Sequence, residues 1–339
     1  MIITIKPNKF VATLKDFVKN TRTMFNFQIV DNILNLEVLN NYTAISRIPC
    51  ENIEGYIPNF NASIWLTKSI LVLDCKSDIK ITFTDKVVVI EQDTFSGVFT
   101  REYEDRRFVP DVSNVKTEQL LSARLKYFAK LATGFSSLAK ELSISEPDPV
   151  FKDDVFYLDY AQTWFLAQID FPTACMPMAT LKDFTTKLDE QASYYVFTDI
   201  DTLYIKTFEY DFFIPIVNSS INENSINAVN KIGASLKELT KINIKPYVEK
   251  LQTIVQAFPK TKFPLMIGNN EFSINVNANN QRISIGSVNT YLTSITITSA
   301  QLDVICKLFK DDEQINVLRG VNCLCLESKG KTVLLAGLL

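Results

Sequence analysis

The chain contains no histidine, which removes Ser-His-Asp and Cys-His catalysis, imidazole general bases and most zinc sites in one step. Asp199 and Asp201 stand two apart and have the chemistry to share a metal ion, but they fall between two predicted strands, where a turn calls for such residues. Asp153-Asp154 and Asp311-Asp312-Glu313 read the same way, as turn or helix-end acids. Gly330-Lys331-Thr332 matches the end of a phosphate-binding loop. Its upstream glycine is missing from the required place and a strand follows instead of a helix, so it reads as a hairpin turn. Nine glycines in 339 residues leave no glycine-rich cofactor loop. No residue set nominates a catalytic centre, a metal site or a cofactor, and the expectation is a protein without enzymatic activity.

The remaining chemistry belongs to lysine and arginine. Six predicted helix windows (8–22, 66–77, 117–134, 178–188, 245–258 and 299–310) hold 15 Lys and Arg against 6 Asp and Glu, a balance of +9. The rest of the chain then carries −12, although the net charge is only −3. Basic helices on an otherwise acidic protein make a basic lining if they face a common region. The alternative is that helices simply favour lysine.

Those helices belong to a pattern that recurs six times: a short strand, an amphipathic helix, then two or three strands. In the last copy Thr293 to Thr298 alternates as a strand and Ser299 is placed as an N-cap. Leu302, Ile305 and Phe309 form a helical stripe, and strands follow at Gln314 to Leu318, Val321 to Glu327 and Thr332 to Leu339. The first copy has a strand at Met1 to Lys6 and a helix at Asn8 to Arg22 with Phe10, Leu14, Phe17 and Val18 on one face. Its strands Met24 to Val30, Ile33 to Leu39 and Thr43 to Ile48 are separated by Asp31-Asn32 and Asn40-Asn41, which suit tight turns. The other helices are read at Thr67 to Cys75, at Leu120 to Thr133, around Leu181, Phe184 and Leu188, and around Val248, Leu251, Val255 and Phe258. The stretch from Thr133, where the third helix ends, to Pro149 carries no assignment.

A chain of 339 residues suits two or three domains. Pairing the units gives three: 1–113, 114–222 and 223–339. Their joints fall near Pro110 to Asn114 and near Asn218 to Asn230, where Asn, Ser and Glu replace the apolar alternation. No apolar run approaches the length needed to span a bilayer, and the chain opens on a strand rather than a signal peptide. Cys50, Cys75, Cys175, Cys306, Cys323 and Cys325 lie mostly in apolar segments and read as buried, reduced thiols of a cytoplasmic protein.

With six units in place, the chain resembles a DNA sliding clamp, in particular the three-domain bacterial DNA polymerase III β-subunit type. Met1 to Arg22 is similar to the family's opening strand and DNA-facing helix. Phe108-Val109-Pro110-Asp111 is similar to its hand-over from the first domain to the second, and Val333 to Leu339 to its hydrophobic C-terminal strand. The resemblance implies an α+β clamp fold, with antiparallel sheets outside and helices lining the hole of a head-to-tail homodimeric ring. It implies a processivity factor that encircles duplex DNA without reading sequence and binds polymerase and clamp loader through short peptides. The many Asn, Ile and Lys residues fit the AT-rich coding of a phage or mobile element.

Carried over by position, the DNA-facing residues would be Lys9, Lys15, Lys19, Arg22, Lys68, Arg124, Lys126, Lys130, Lys182, Lys187, Lys250, Lys307 and Lys310. The peptide pocket would use Thr163, Trp164, Phe165, Val333 and Leu335, with Val155 or Tyr157 beside them and Pro215. Phe99 and Ile254 or Val255 would contribute to the subunit interface. The family's basic and proline residues at the start of its third domain have no counterpart around Ser219 to Ala228. The rival readings are a two-domain clamp that closes as a trimer, a β-rich structural or assembly protein of a virus particle, and a metal-dependent enzyme using Asp199 and Asp201.

Overall fold

The computed structural model describes residues 1–19, 22–58, 60–102, 109–160, 163–268, 271–276, 281–286, 293–320 and 323–336. Phe108, Val321 and residues 337–339, which enter the expectations above, lie outside the described residues. The chain is an α+β protein whose paired strands are all antiparallel. It divides into two compact units, each built from two stretches of chain: Met1–Ser122 with Lys187–Ile216, and Ala123–Thr186 with Val217–Leu339.

The first unit is organised by one twelve-stranded sheet. Strand Ile2–Ile5 lies between Cys50–Glu54 and Ile79–Phe83, so hydrogen bonding closes around the first eight strands. Asp31 and Asn32 both adopt positive φ, 50° and 62°, in the hairpin turn expected of them. Helix α1 (Pro7–Phe17) starts with a proline in its first turn, where a missing N–H costs nothing, and buries Phe10, Val11, Leu14 and Phe17. It stops five residues short of Arg22, because the Thr23 hydroxyl donates to the Phe17 carbonyl (3.2 Å) and strand Thr23–Val30 begins there. Lys19 and Arg22 therefore lie beyond the helix. The expected helix Thr67 to Cys75 is only a five-residue 3-10 helix, Lys68–Val72, with Ile70 buried. A stripe that short supports only a tight turn.

Strand Thr43–Glu54 continues the sheet into Asp211–Pro215, pairing Ile45 with Asp211 and Thr43 with Phe213. At that joint Asp211, 2% exposed, pairs with Arg47 and accepts a hydrogen bond from the Tyr204 hydroxyl (3.0 Å). Asp199 and Asp201 fall in the turn before strand Thr202–Lys206, with Asp201 at φ 44°. The turn explains both residues.

In the second unit an eight-stranded sheet carries Val150–Lys152, Val155–Asp159, Thr163–Gln168 and Ala174–Cys175 beside Lys237–Ile242, Ile315–Gly320, Cys323–Ser328 and Lys331–Ala336. The join is Thr163–Ala167 against Lys331–Leu335. A separate four-stranded sheet holds Lys262–Gly268, Glu271–Val276, Gln281–Gly286 and Thr293–Thr298. The helices are α2 (Ser122–Thr133), α3 (Ser136–Leu142), α4 (Met178–Thr185), α5 (Glu223–Ser235), α6 (Val248–Ala257) and α7 (Ser299–Phe309). Helix α3 occupies the stretch the sequence left unassigned.

Thr298, not Ser299, caps α7. Its side chain accepts from Gln301 N, while the Gln301 side chain returns to the Thr298 N–H in a capping box. Gln301 also donates to the Thr163 hydroxyl (2.7 Å), and Glu141 accepts from Ala300 N (3.0 Å), so α7's N-terminus is fixed to the strand join and to α3. At its other end Lys331, 7% exposed, pairs with buried Asp312 (2.8 Å) and donates to the Leu308 carbonyl (2.9 Å). A cation at helix C-terminal carbonyls is favourable. Lys329 and Gly330 form the hairpin turn before it, with φ 49° and 73°.

Helix α5 lies where the sequence shows Asn- and Ser-rich chain. Asn222 caps it by accepting from Ser225 N (3.1 Å), and only Ile226 and Val229 are buried. Its composition is poor for a helix: three asparagines, two serines and Gly233, which costs about 1 kcal/mol relative to alanine. Packing holds it, not propensity.

Four cysteines are buried, Cys50 is half-buried and Cys75 exposed. Burial pushes the Cys306 and Cys325 thiols from the ordinary 9.0 up to about 12. The folded chain keeps those protons while the unfolded chain releases them above pH 9, so the thiols' contribution to stability is level below pH 9 and falls as pH rises toward 12. Urea titrations at pH 8, 9 and 10 are expected to show the decline beginning at 9. Each thiol contributes a slope of up to about 1.4 kcal/mol per pH unit, and Cys306→Ala removes one thiol's share. A stability that stays flat to pH 10 would contradict the burial of these thiols.

Candidate nucleic-acid interface

In the second unit, α2 presents Lys126 and Lys130 at i and i+4 on its exposed side, opposite buried Leu125, Phe128, Ala129 and Ala132. Like charges at that spacing oppose helix formation by about 0.2–0.5 kcal/mol, so the pair is not there for the helix's own stability. Lys182 of α4 faces them across a groove of about 320 Å³ lined also by Ala129, Thr185 and Thr186. The floor is short side chains and the walls are ammonium groups. Lys182 is anchored by Glu146 (2.6 Å). Arg124 lies over the Phe128 ring and near Gly330. Lys250 is exposed on α6, whose apolar face buries Val248 and Leu251. Lys307 of α7 is bound to Asp303 one turn earlier (2.6 Å), and Lys310 follows that helix, exposed. Among the described residues Lys130, Lys250 and Lys310 make no ion pair.

In the first unit Lys15 and Lys19 are exposed, and Lys9 is 3.8 Å from Glu209. Lys68 is exposed on the 3-10 helix. Lys187 stacks on the Phe17 ring of α1 (4.8 Å) and donates to the Tyr42 hydroxyl (3.5 Å). Arg22 is committed to Glu102 (3.6 Å) and to the face of Trp65 (4.9 Å). Of the expected set, Lys9, Lys182, Lys187, Lys307 and Arg22 are engaged within the fold, while Lys130, Lys250 and Lys310 are exposed on or just after helices.

Strand alternation splits the expected peptide pocket between two faces of the eight-stranded sheet. Thr163, Phe165, Val333 and Leu335 face the helices and are buried, Phe165 against Phe128, Phe135 and Phe156. Trp164, half-buried, lies on the opposite face with Leu166 and Leu334. Val155 and Tyr157 alternate with inward-facing Phe156 on the neighbouring strand, where Tyr157 pairs with Leu166. On that outer face Trp164, Leu166, Cys323, Cys325 and Leu334 form an apolar cluster covered by Val229 and Ile232 of α5. Beyond the cover the face continues as an open groove of about 410 Å³, with Val155, Leu166, Gln168, Glu327 and Lys329 among its walls. Pro215 ends its strand in the first unit, exposed. The sequence missed the contributions of Leu166 and Leu334, although the register of either strand against its partner would have given them.

Phe99 belongs to strand Phe95–Glu102. Its ring and that of Phe95 close over Gly97, where an added Cβ would come within 2.8 Å of Phe99. This strand pairs with Val87–Gln92 on one side, and on the other only Arg101 and Glu102 are paired among the described residues. Residues 95–100 therefore present an edge, with Val98 66% exposed. In the second unit Gln281–Gly286 is an edge strand of the four-stranded sheet, and Ile254 and Val255 are half-buried on α6.

No family model matches the sequence, and no curated protein matches it. Solved structures do match over the whole chain. A Helicobacter pylori β clamp bound to a DNA ligase peptide superposes with a TM-score of 0.74 at 12% identity, covering 100% of both chains. The DNA polymerase sliding clamp of Pseudomonas aeruginosa gives 0.72 at 11%, covering 100% of this chain and 99% of its own. The β chain of DNA polymerase III from Streptococcus pneumoniae gives 0.70 at 12%, with the same coverage. At these identities the likeness is one of fold, and it is complete: from end to end the chain has the fold of the bacterial β sliding clamps.

Proposed function

We propose that this protein is a DNA sliding clamp, a non-catalytic processivity factor that encircles duplex DNA and tethers a replicative polymerase. The full-length correspondence with bacterial β clamps carries the reading. Three tandem domains, 1–113, 114–222 and 223–339, make up each subunit, and two subunits close head to tail into a ring in the cytoplasm. Residues 95–100 and Gln281–Gly286 are among the open sheet edges, and Phe99, Ile254 and Val255 are the interface candidates. A clamp needs no catalytic residue, which accords with the sequence reading.

Lys15, Lys19, Lys68, Arg124, Lys126, Lys130, Lys250 and Lys310 supply the positive lining. Lys9, Lys182, Lys187, Lys307 and Arg22 add charge while bracing the helices. Such contacts hold phosphates through screened, water-mediated attraction, strong enough to centre the duplex and too weak to stop sliding. Polymerase and loader peptides dock on the outer face around Val155, Tyr157 and Trp164, with Thr163, Phe165, Val333 and Leu335 supporting it from behind.

Linkage by topology has a distinct signature. Protein threaded onto linear duplex whose ends are then ligated should remain with the circle through a high-salt wash and leave when the circle is cut. Equal loss from circular and linear DNA would contradict the reading. Replacing Lys126, Lys130 and Lys250 together by glutamate should lower the slope of log affinity against log salt by about 0.9 per lost phosphate contact. Surface changes of this kind shift stability by only about 0.5 kcal/mol. An unchanged slope in low-salt anisotropy titrations would remove these lysines from the interface.

A further inference from the structure

The outer face of the second unit's eight-stranded sheet is closed by a helix that looks built to leave. Helix α5 buries only Ile226 and Val229, and the rest of its surface faces solvent or is half-covered. Val229 and Ile232 sit on Trp164, Leu166, Leu334, Cys323 and Cys325. Polar ties fix its first turns: Glu223 to Lys152 (2.6 Å), the Ser225 hydroxyl to Asp159 (2.5 Å), and a side-chain hydrogen bond between Asn230 and Tyr157. At its other end Leu236 approaches Gly320 so closely that an added Cβ there would meet it at 3.1 Å. Gly233 has open space around it, so no packing demand explains a glycine within the helix.

Two features of the covered face point to another occupant. Among the described residues the buried Trp164 indole N–H has no hydrogen-bond partner, an arrangement that native interiors avoid. The apolar floor also does not end under α5: Leu166 belongs both to the covered cluster and to the open groove beside it. An incoming segment can bind first in the open part and then compete for the covered part.

We propose that α5 is an intrinsic, displaceable cover of the partner-docking face, and that its competitor is a short peptide with apolar side chains and one acidic residue. The apolar residues replace Val229 and Ile232. A backbone carbonyl accepts from Trp164 Nε1, and the acid takes Lys152 once Glu223 has left it. The closed helix lowers apparent affinity by the fraction of time it stays shut, so partners with weaker apolar anchors are excluded. This inference rests on the partner-docking part of the clamp reading.

Cysteines already present report the motion. Cys323 and Cys325 lie under α5, whereas Cys306 is buried in α7 with 0% exposure. Alkylation of the full chain, followed residue by residue by mass spectrometry, should modify Cys323 and Cys325 faster than Cys306. Glu223→Gln should speed that modification about twofold by loosening a surface tie, and Gly233→Ala should slow it about fivefold by strengthening the helix. Affinity for a fluorescein-labelled Glu-Leu-Leu-Phe peptide should follow in step, rising in the first variant and falling in the second. Rates that do not respond to either variant, Cys306 accelerating in parallel, or peptide binding that is absent or equal in all three proteins would each overturn the proposal. Retention on ligated circles tests the clamp reading separately, because neither variant touches the basic helices.

Discussion

Everything in this fold hangs on strands that pair across great distances in sequence. Arg47 and Asp211 are 164 residues apart, yet their ion pair sits in the ladder that joins Thr43–Glu54 to Asp211–Pro215. The second unit repeats the arrangement where Thr163–Gln168 meets Lys331–Ala336. At each joint a buried carboxylate is matched to a cation: Asp211 to Arg47, and Asp312 to Lys331 just past the join. Lys331 and Asp312 are both buried, so removing one would strand the other at a cost of about 3–5 kcal/mol. Pairing by backbone continuity explains how a chain with about a tenth of its residues shared with known clamps keeps their fold. Ladders need hydrogen bonds and alternation, not particular side chains.

Much of this was legible. Ile3 and Ile5, or Thr293 to Thr298, alternate cleanly because one sheet face is buried and the other less so, and Asp31-Asn32 announces its hairpin. What failed did so for physical reasons. Helix α5 hid behind three asparagines and two serines, because its stripe is only Ile226, Val229 and Ile232 and its stability comes from the sheet beneath it. The helix after Leu66 shrank to a 3-10 turn, and α1 ended at Phe17 because a threonine hydroxyl caps it from the following strand. The pocket residues were spread over two faces because Val333, Leu334 and Leu335 are all apolar. A strand covered on both sides loses the alternation that would reveal which residue points where.

The charge pattern bridges fold and function. The sequence located the lysines on helices, and the structure separates those held by Glu146, Asp303 or Phe17 from those left to solvent. Held lysines brace the helices that carry them. The outer face follows a different logic, with an apolar floor, an indole unpartnered among the described residues and a weak helical cover.

Ring closure is the claim on which the functional account turns, because the open edges at residues 95–100 and Gln281–Gly286 have no partner within their own sheets among the described residues. Sedimentation equilibrium of the purified chain tests it most directly. The account predicts a species of twice the 38.5-kDa chain mass. A particle that stays at one chain mass across micromolar concentrations, or one of three chain masses, would contradict it.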